Sequence, residues 1–93
     1  MEKMNENEIN TALGELQGWS YKNGSITKSF KFKDFKEAFS AMTRIAFECE
    51  AQNHHPDWEN VYNTLNISLN THDAGGVTQK DIVLAKSIEN IVG

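Results

Sequence analysis

The segment WSYKNGSITKSFKF, residues 19–32, constrains the fold more than any other part of the chain. Its Asn23-Gly24 pair favours the two-residue type I′ turn of a β-hairpin, because both turn positions need a positive φ angle. Pairing outward from the turn predicts one buried and one wet face. The buried face is predicted to hold Trp19, Tyr21, Ile26, Phe30 and Phe32, and the wet face Ser20, Lys22, Thr27, Ser29 and Lys31.

A second hairpin is predicted further along the chain. Trp58, Val61 and Tyr62 indicate a third strand. The segment LNISLN, residues 65–70, alternates apolar and polar residues and is predicted to form a fourth strand. The chain is predicted to turn at Asn63-Thr64.

Three amphipathic helices are predicted around these hairpins. Each begins at a pair that can form a capping box, and the first is expected to stop near Gly18. The predicted order is α-β-β-α-β-β-α, an α+β fold with a four-stranded antiparallel sheet covered by three helices on one face. Residues 1–93 are predicted to form a single domain. The three capping pairs are Asn5 with Glu8, Asp34 with Glu37, and Thr78 with Asp81.

The long middle helix has an apolar stripe and an aromatic residue outside it. Phe47 is either an isolated exposed aromatic or part of a second apolar face for a partner subunit. The helix is predicted to end near Asn53, because Pro56 disfavours helical geometry at His55. The predicted stripe is Phe35, Ala38, Phe39, Met42, Ile45, Ala46 and Cys49.

The composition excludes several classes of function. The net charge of -4 lacks the basic footprint of a nucleic-acid binder, so direct DNA or RNA binding is not expected. No apolar run approaches the length of a membrane span. The single cysteine, Cys49, cannot form an intramolecular disulfide and is interpreted as a buried thiol, which fits a reducing cytoplasm.

All three histidines are predicted to converge at one end of the sheet. His54 and His55 precede strand 3, and His72 follows strand 4. Because strands 3 and 4 form a hairpin, the start of one lies beside the end of the other. Glu50 lies one helical turn before His54, and Asp81 begins the helix that follows His72.

Taken singly, these residues have ordinary explanations. His54 and His55 could simply close a helix, whose dipole favours a cationic side chain. Asp81 could serve only as a capping residue, and Glu50 could be a solvated helix residue. A zinc or iron site is a further alternative, but adjacent histidines point in different directions and the chain has no H-x-H or H-x-x-x-H pair.

Acid–base chemistry is the interpretation that uses the whole group. Imidazole titrates near neutrality, so it can donate or accept a proton at physiological pH. No phosphate loop, dinucleotide fingerprint or nucleophile elbow is present. The pattern therefore indicates proton transfer without a cofactor.

The segments EAQNHHPDWENVY and LNTHDAGGVTQKD resemble the pterin-4a-carbinolamine dehydratase family. The resemblance extends from about Trp19 to the C-terminus. It implies removal of water from 4a-hydroxytetrahydropterin to give quinonoid dihydropterin, which recycles the pterin after aromatic amino acid hydroxylation. It also implies that neither a metal nor an organic cofactor is needed.

This resemblance suggests a role for each candidate. His54 is expected to protonate the leaving oxygen, His72 to act as a second acid–base group, and His55 to position the substrate. Glu50 would bind the pterin edge or orient a histidine. The two remaining candidates are Asp81, expected to hold the tautomer of His72, and Trp19, expected to form a wall of the pocket.

The resemblance also implies a homodimer or homotetramer. Strand 4 is short and uncharged, which predicts that two copies pair along it as an edge. A second class of function is a protein-binding module, because some relatives act as dimerisation cofactors of a homeodomain transcription factor. Such a role would use the surface of the long helix, and a scaffold that has lost its chemistry is disfavoured by the three histidines.

Overall fold

The computed structural model describes residues 2–93. Its elements follow the predicted order, with a short 3₁₀ turn added before the last helix. They are α1 (Glu6–Leu13), β1 (Ser20–Lys22), β2 (Ser25–Lys31), α2 (Phe35–Gln52), β3 (Asp57–Val61), β4 (Thr64–Leu69), the 3₁₀ turn His72–Ala74 and α3 (Gln79–Val92). Within residues 2–93, none of the helices combines the length and apolar character that a membrane crossing requires.

The strands form one antiparallel sheet in the order β1-β2-β4-β3. The first hairpin turns as predicted, with positive φ angles of 51° at Asn23 and 80° at Gly24. The second turns one residue earlier than predicted, at Tyr62-Asn63, and Tyr62 has a φ of 53°.

The position of β4 in the sheet corrects one prediction. β4 pairs with β2 on one side and with β3 on the other, so it has no free edge. Two copies of the chain cannot pair along it, and the proposed dimer through strand 4 is wrong. The free edges belong to β1, which has only three residues, and to β3, which carries Asp57 and Glu59.

The helices cover one face of the sheet and enclose a single apolar core. The apolar residues of β2 and β4 that were predicted to face the core do so. Ile26 pairs with Leu69 and Phe30 pairs with Leu65, and all four side chains are buried. Tyr21 was predicted to be buried with them, but it is 37% exposed because β1 is a short edge strand.

The buried stripe of α2 is narrower than predicted. It consists of Ala38, Ala41, Ile45 and Cys49. Small residues let the helix lie close to the core, and the large aromatics on its flank therefore remain outside. Phe35, Phe39 and Phe47 are 47%, 55% and 74% exposed, and Ala46 is also exposed.

Local signals account for most helix ends. Asn5–Glu8 and Thr78–Asp81 form full capping boxes. Asp34 caps α2, but the side chain of Glu37 accepts from the backbone of Lys33, so that box is incomplete. Helix α1 ends at Leu13 with Gly14 as its cap, earlier than the stop predicted at Gly18.

Candidate active site

The end of α2 positions two of the three histidines. Asn53 adopts the left-handed conformation, with a φ of 52° and a ψ of 44°. The backbone N–H of Asn53 then donates to the carbonyl of Glu50, and that of His54 donates to the carbonyl of Cys49. This is the Schellman arrangement, which reverses the chain sharply after a helix. His54 consequently turns inward while its neighbour His55 stays exposed.

His54 is paired with a buried carboxylate. Its Nε2 lies 2.5 Å from Oδ1 of Asp81. The side chain of His54 is 10% exposed and that of Asp81 is fully buried. Asp81 was expected from the sequence to hold the tautomer of His72, but in the structure it pairs with His54. A buried charge needs partners, and the second oxygen of Asp81 accepts from the backbone N–H of Thr78 at 2.9 Å.

His55 forms a second, exposed pair with Glu50. Its Nε2 lies 2.6 Å from Oε2 of the glutamate, and the two side chains are 56% and 76% exposed. Solvent screens such a pair, so it contributes little to stability. Its main consequence is to restrain the direction of the His55 ring.

His72 completes the group from the other side. Asp57 pairs with Ser68, which places the start of β3 beside the end of β4. His72 begins the 3₁₀ turn just beyond β4 and is exposed. The structure thus brings all three histidines to one cavity of about 340 Å³, lined by Asn53, His54, His55, Asn70, Thr71, His72, Asp73 and Lys80.

The predicted site residue Trp19 and the single cysteine lie apart from this cavity. Trp19 does not line it: the residue is 6% exposed, and its indole N–H donates to Glu89 at 2.9 Å. Trp19 therefore serves the core. Cys49 is also buried, and burial raises the pKa of its thiol, an effect to which the Glu48 carboxylate adds. Both observations fit a structural cysteine better than a nucleophile.

The cavity also contains residues that sequence reasoning did not select. Asn53, Asn70, Thr71, Asp73 and Lys80 surround the histidines with amide, hydroxyl and charged groups. Asn53 was considered only as a helix stop. The others come from loops and helix starts, where polar residues are common, so no local pattern distinguishes them.

A larger concavity of about 520 Å³ lies on the open face of the sheet. Serine, threonine and asparagine side chains line much of it, and it contains no histidine. The smaller cavity is the better candidate, because it gathers groups able to transfer protons near neutrality. Within residues 2–93, no three histidine, cysteine or acidic side chains are placed to share a metal ion.

The geometry suits acid–base chemistry on a small polar ring. Because the Asp81 carboxylate accepts from Nε2–H of His54, it stabilises the imidazolium that forms when Nδ1 takes a proton. Among residues 2–93, every buried side-chain nitrogen has a hydrogen-bond partner, whereas Nδ1 of His54 has none. Nδ1 is therefore the accessible atom of the ring, free to exchange a proton with a bound molecule.

The sequence and the fold both match known proteins. Residues 2–91 match the family model described as pterin 4 alpha carbinolamine dehydratase. A provisionally named pterin-4-alpha-carbinolamine dehydratase of Christiangramia forsetii is 60% identical over 92 residues, covering 99% of this chain and 95% of the relative. A similarly named protein of Mesorhizobium japonicum is 51% identical, with 99% and 96% covered.

Solved structures extend the likeness to three dimensions. The crystal structure of a transcriptional coactivator/pterin dehydratase from Brucella melitensis superposes with a TM-score of 0.96 at 42% sequence identity. The match covers 99% of this chain and 100% of that protein. A pterin dehydratase-like protein identified as a RuBisCO assembly factor in the alpha-carboxysome has a TM-score of 0.68 at 17% identity, which shows the fold alone. On the family match and the identities together, the chain belongs to the pterin 4 alpha carbinolamine dehydratase family.

Proposed function

We propose that this protein is a 4a-hydroxytetrahydropterin dehydratase that works by histidine acid–base catalysis. The observation that carries the proposal is the His54–Asp81 pair, which opens on a cavity shared with His55 and His72. Family membership supports the substrate class. The enzyme would act in the cytoplasm, recycling the pterin released by an aromatic amino acid hydroxylase.

The reaction is an elimination that changes no oxidation state. The hydroxyl at C4a leaves as water once it receives a proton, while the lone pair on N5 forms the C4a=N5 bond. The ring is then cationic and loses one proton to give quinonoid dihydropterin. One proton donor and one proton acceptor, each able to transfer a proton near neutral pH, are therefore sufficient.

The structure supports a division of labour among the histidines. His54, with the Asp81 carboxylate on its Nε2, takes a proton on Nδ1 and, as the imidazolium, donates that proton to the leaving oxygen. His72 lies on the opposite loop and is the second acid–base group. His55 is restrained by Glu50 and serves to position the ring. No step in this scheme requires Trp19.

The direct test is the decay of 4a-hydroxytetrahydropterin, followed by absorbance with and without the purified protein after exhaustive chelation. We expect the protein to accelerate the decay, because the proton transfers depend on side chains alone. Activity that disappears with the chelator and returns with one metal would contradict the metal-free scheme. No acceleration at all would favour the protein-binding alternative.

A second candidate function is assembly through α2. Phe35 and Phe39 lie side by side, with ring centroids 5.7 Å apart, and both are about half exposed. Phe47 is 74% exposed. Exposed aromatics concentrated on one helix are typical of an interaction site. The occupant proposed here is a second copy of the chain, giving a homodimer or homotetramer.

Phe47→Glu tests that interface. A carboxylate placed on the aromatic surface would have to be desolvated on assembly, so the variant should form smaller particles than the wild type. Light scattering at micromolar concentration measures the difference. Asn10→Glu, which adds the same charge on exposed α1, is the matched control. A wild-type monomer, or an oligomer indifferent to Phe47→Glu, would show that this face is not the interface.

A further inference from the structure

Thr71 lies between the sheet and the candidate active site. It follows β4 and forms an isolated bridge with Gly76. Its position is the N-cap of the 3₁₀ turn, where a threonine hydroxyl ordinarily accepts a backbone N–H. Here the hydroxyl makes no such cap. It points instead to Oδ2 of Asp81, at 2.9 Å.

The hydrogen bonds around Thr71 have only one consistent direction. Oδ2 of Asp81 accepts from the backbone N–H of Thr78 and from the Thr71 hydroxyl. The Thr71 proton is therefore committed to the carboxylate. The 2.6 Å contact between the two threonine hydroxyls must then be a donation from Thr78 to Thr71. The backbone N–H of Lys80 donates to Thr78 in turn.

This chain of donors fixes the carboxylate in one orientation. Two donors on Oδ2 hold the plane of Asp81, so that Oδ1 faces Nε2 of His54. An accepting Oδ1 requires the proton of the neutral imidazole to be on Nε2. The lone pair of Nδ1 is then left for the cavity. Without the Thr71 donor, the carboxylate would keep only the N–H of Thr78 on that side.

We propose that Thr71 is a positioning residue: its hydroxyl orients the Asp81 carboxylate and thereby holds His54 in the Nε2–H tautomer. Thr71 acts through Asp81 and transfers no proton itself. The effect on turnover rests on the proposed dehydratase function, whereas the effect on the His54 tautomer does not.

Thr71→Val is the test, because valine keeps the branched shape and removes the hydroxyl. In ¹⁵N-resolved NMR spectra without substrate, we expect the Nε2–H proton of His54 to exchange with water at least about tenfold faster than in the wild type. In the dehydratase assay, kcat should fall about tenfold while KM changes less than about twofold. Thr71→Ser restores the hydroxyl and should recover both values.

Matched variants separate positioning from stability. Thr64→Val removes a half-buried threonine hydroxyl at the start of β4, away from Asp81, and should leave both readouts unchanged. Thr78→Val is unsuitable, because it would also remove the cap of α3. Thr71→Ala replaces Thr71→Val if the valine variant does not fold.

The wild-type spectrum supplies a measurement that depends on no variant. A slowly exchanging Thr71 hydroxyl proton is expected, together with an Nε2 proton in the neutral form of His54. A neutral wild-type His54 protonated on Nδ1 alone would overturn the proposal, and so would a slower reaction in Thr71→Val with an unchanged Nε2–H signal. An inactive wild type would refute the dehydratase function, while the NMR result would still decide the role of Thr71.

Discussion

Replacing His54 is expected to lower the turnover of 4a-hydroxytetrahydropterin by about 10²- to 10⁴-fold, the usual contribution of one general acid–base group. The reason is that His54, alone among the three histidines, combines a ring nitrogen without a hydrogen-bond partner with a buried carboxylate partner. Product binding should weaken much less, because His55 and the remaining polar lining are unchanged. Stopped-flow absorbance measures the rate, and equilibrium titration with the product measures binding.

Two variants make this result interpretable. His54→Ala leaves the buried Asp81 without its partner and is therefore expected to lose stability as well. His54→Gln can still donate an amide N–H to Asp81 but cannot transfer a proton, so it should be folded and slow. His72→Ala should also lower turnover, whereas His55→Ala should affect substrate binding at least as much as rate. Unchanged turnover in His54→Gln would refute the assignment.

Asp81→Asn is expected to produce a loss of similar size, about 10²- to 10⁴-fold in kcat, through the tautomer of His54. The backbone N–H of Thr78 and the Thr71 hydroxyl both donate to Oδ2. The amide oxygen must therefore occupy that side, and the amide nitrogen must face His54. An N–H donor at that point requires Nε2 to accept, which leaves a neutral imidazole with its only proton on Nδ1. The imidazolium that would donate to the leaving oxygen is then no longer stabilised.

The same substitution should also cost about 1–3 kcal/mol of unfolding free energy, because hydrogen bonds to a buried charged group are replaced by weaker ones to a neutral amide. Urea denaturation measures this cost, and ¹⁵N chemical shifts of His54 report the tautomer directly. Asp57→Asn, an equal change on exposed β3, is the matched control for both measurements. A normal rate together with a reversed tautomer would show that the reaction does not need the His54 imidazolium.

Much of the fold could be predicted from the sequence because it depends on neighbours along the chain. The positive φ angles at Asn23 and Gly24, the left-handed Asn53 and two of the capping boxes each follow from a few adjacent residues. The arrival of His72 beside His54 and His55 also follows from local pairing, because one tight hairpin joins β3 to β4.

Predictions that needed the packing of distant segments were less successful. β4 was expected at an edge of the sheet, but it is internal. The order of the strands depends on the pairing of β2 with β4, whose partner residues lie more than thirty positions apart in the sequence. Phe35 and Phe39 match the helical period of the core, yet they are exposed, because periodicity gives the direction of a side chain and not the width of the surface that covers it.

The sequence by itself therefore identified the histidines that share the cavity and the end of the sheet at which they meet. Only the tertiary structure decided how they are paired. Asp81 is bound to His54 and not to His72, and Thr71 reaches the same carboxylate from the far side. The physical reason is that a buried carboxylate accepts from whichever donors the packing of α2, α3 and the loop after β4 brings within about 3 Å, and no spacing along the chain specifies those donors.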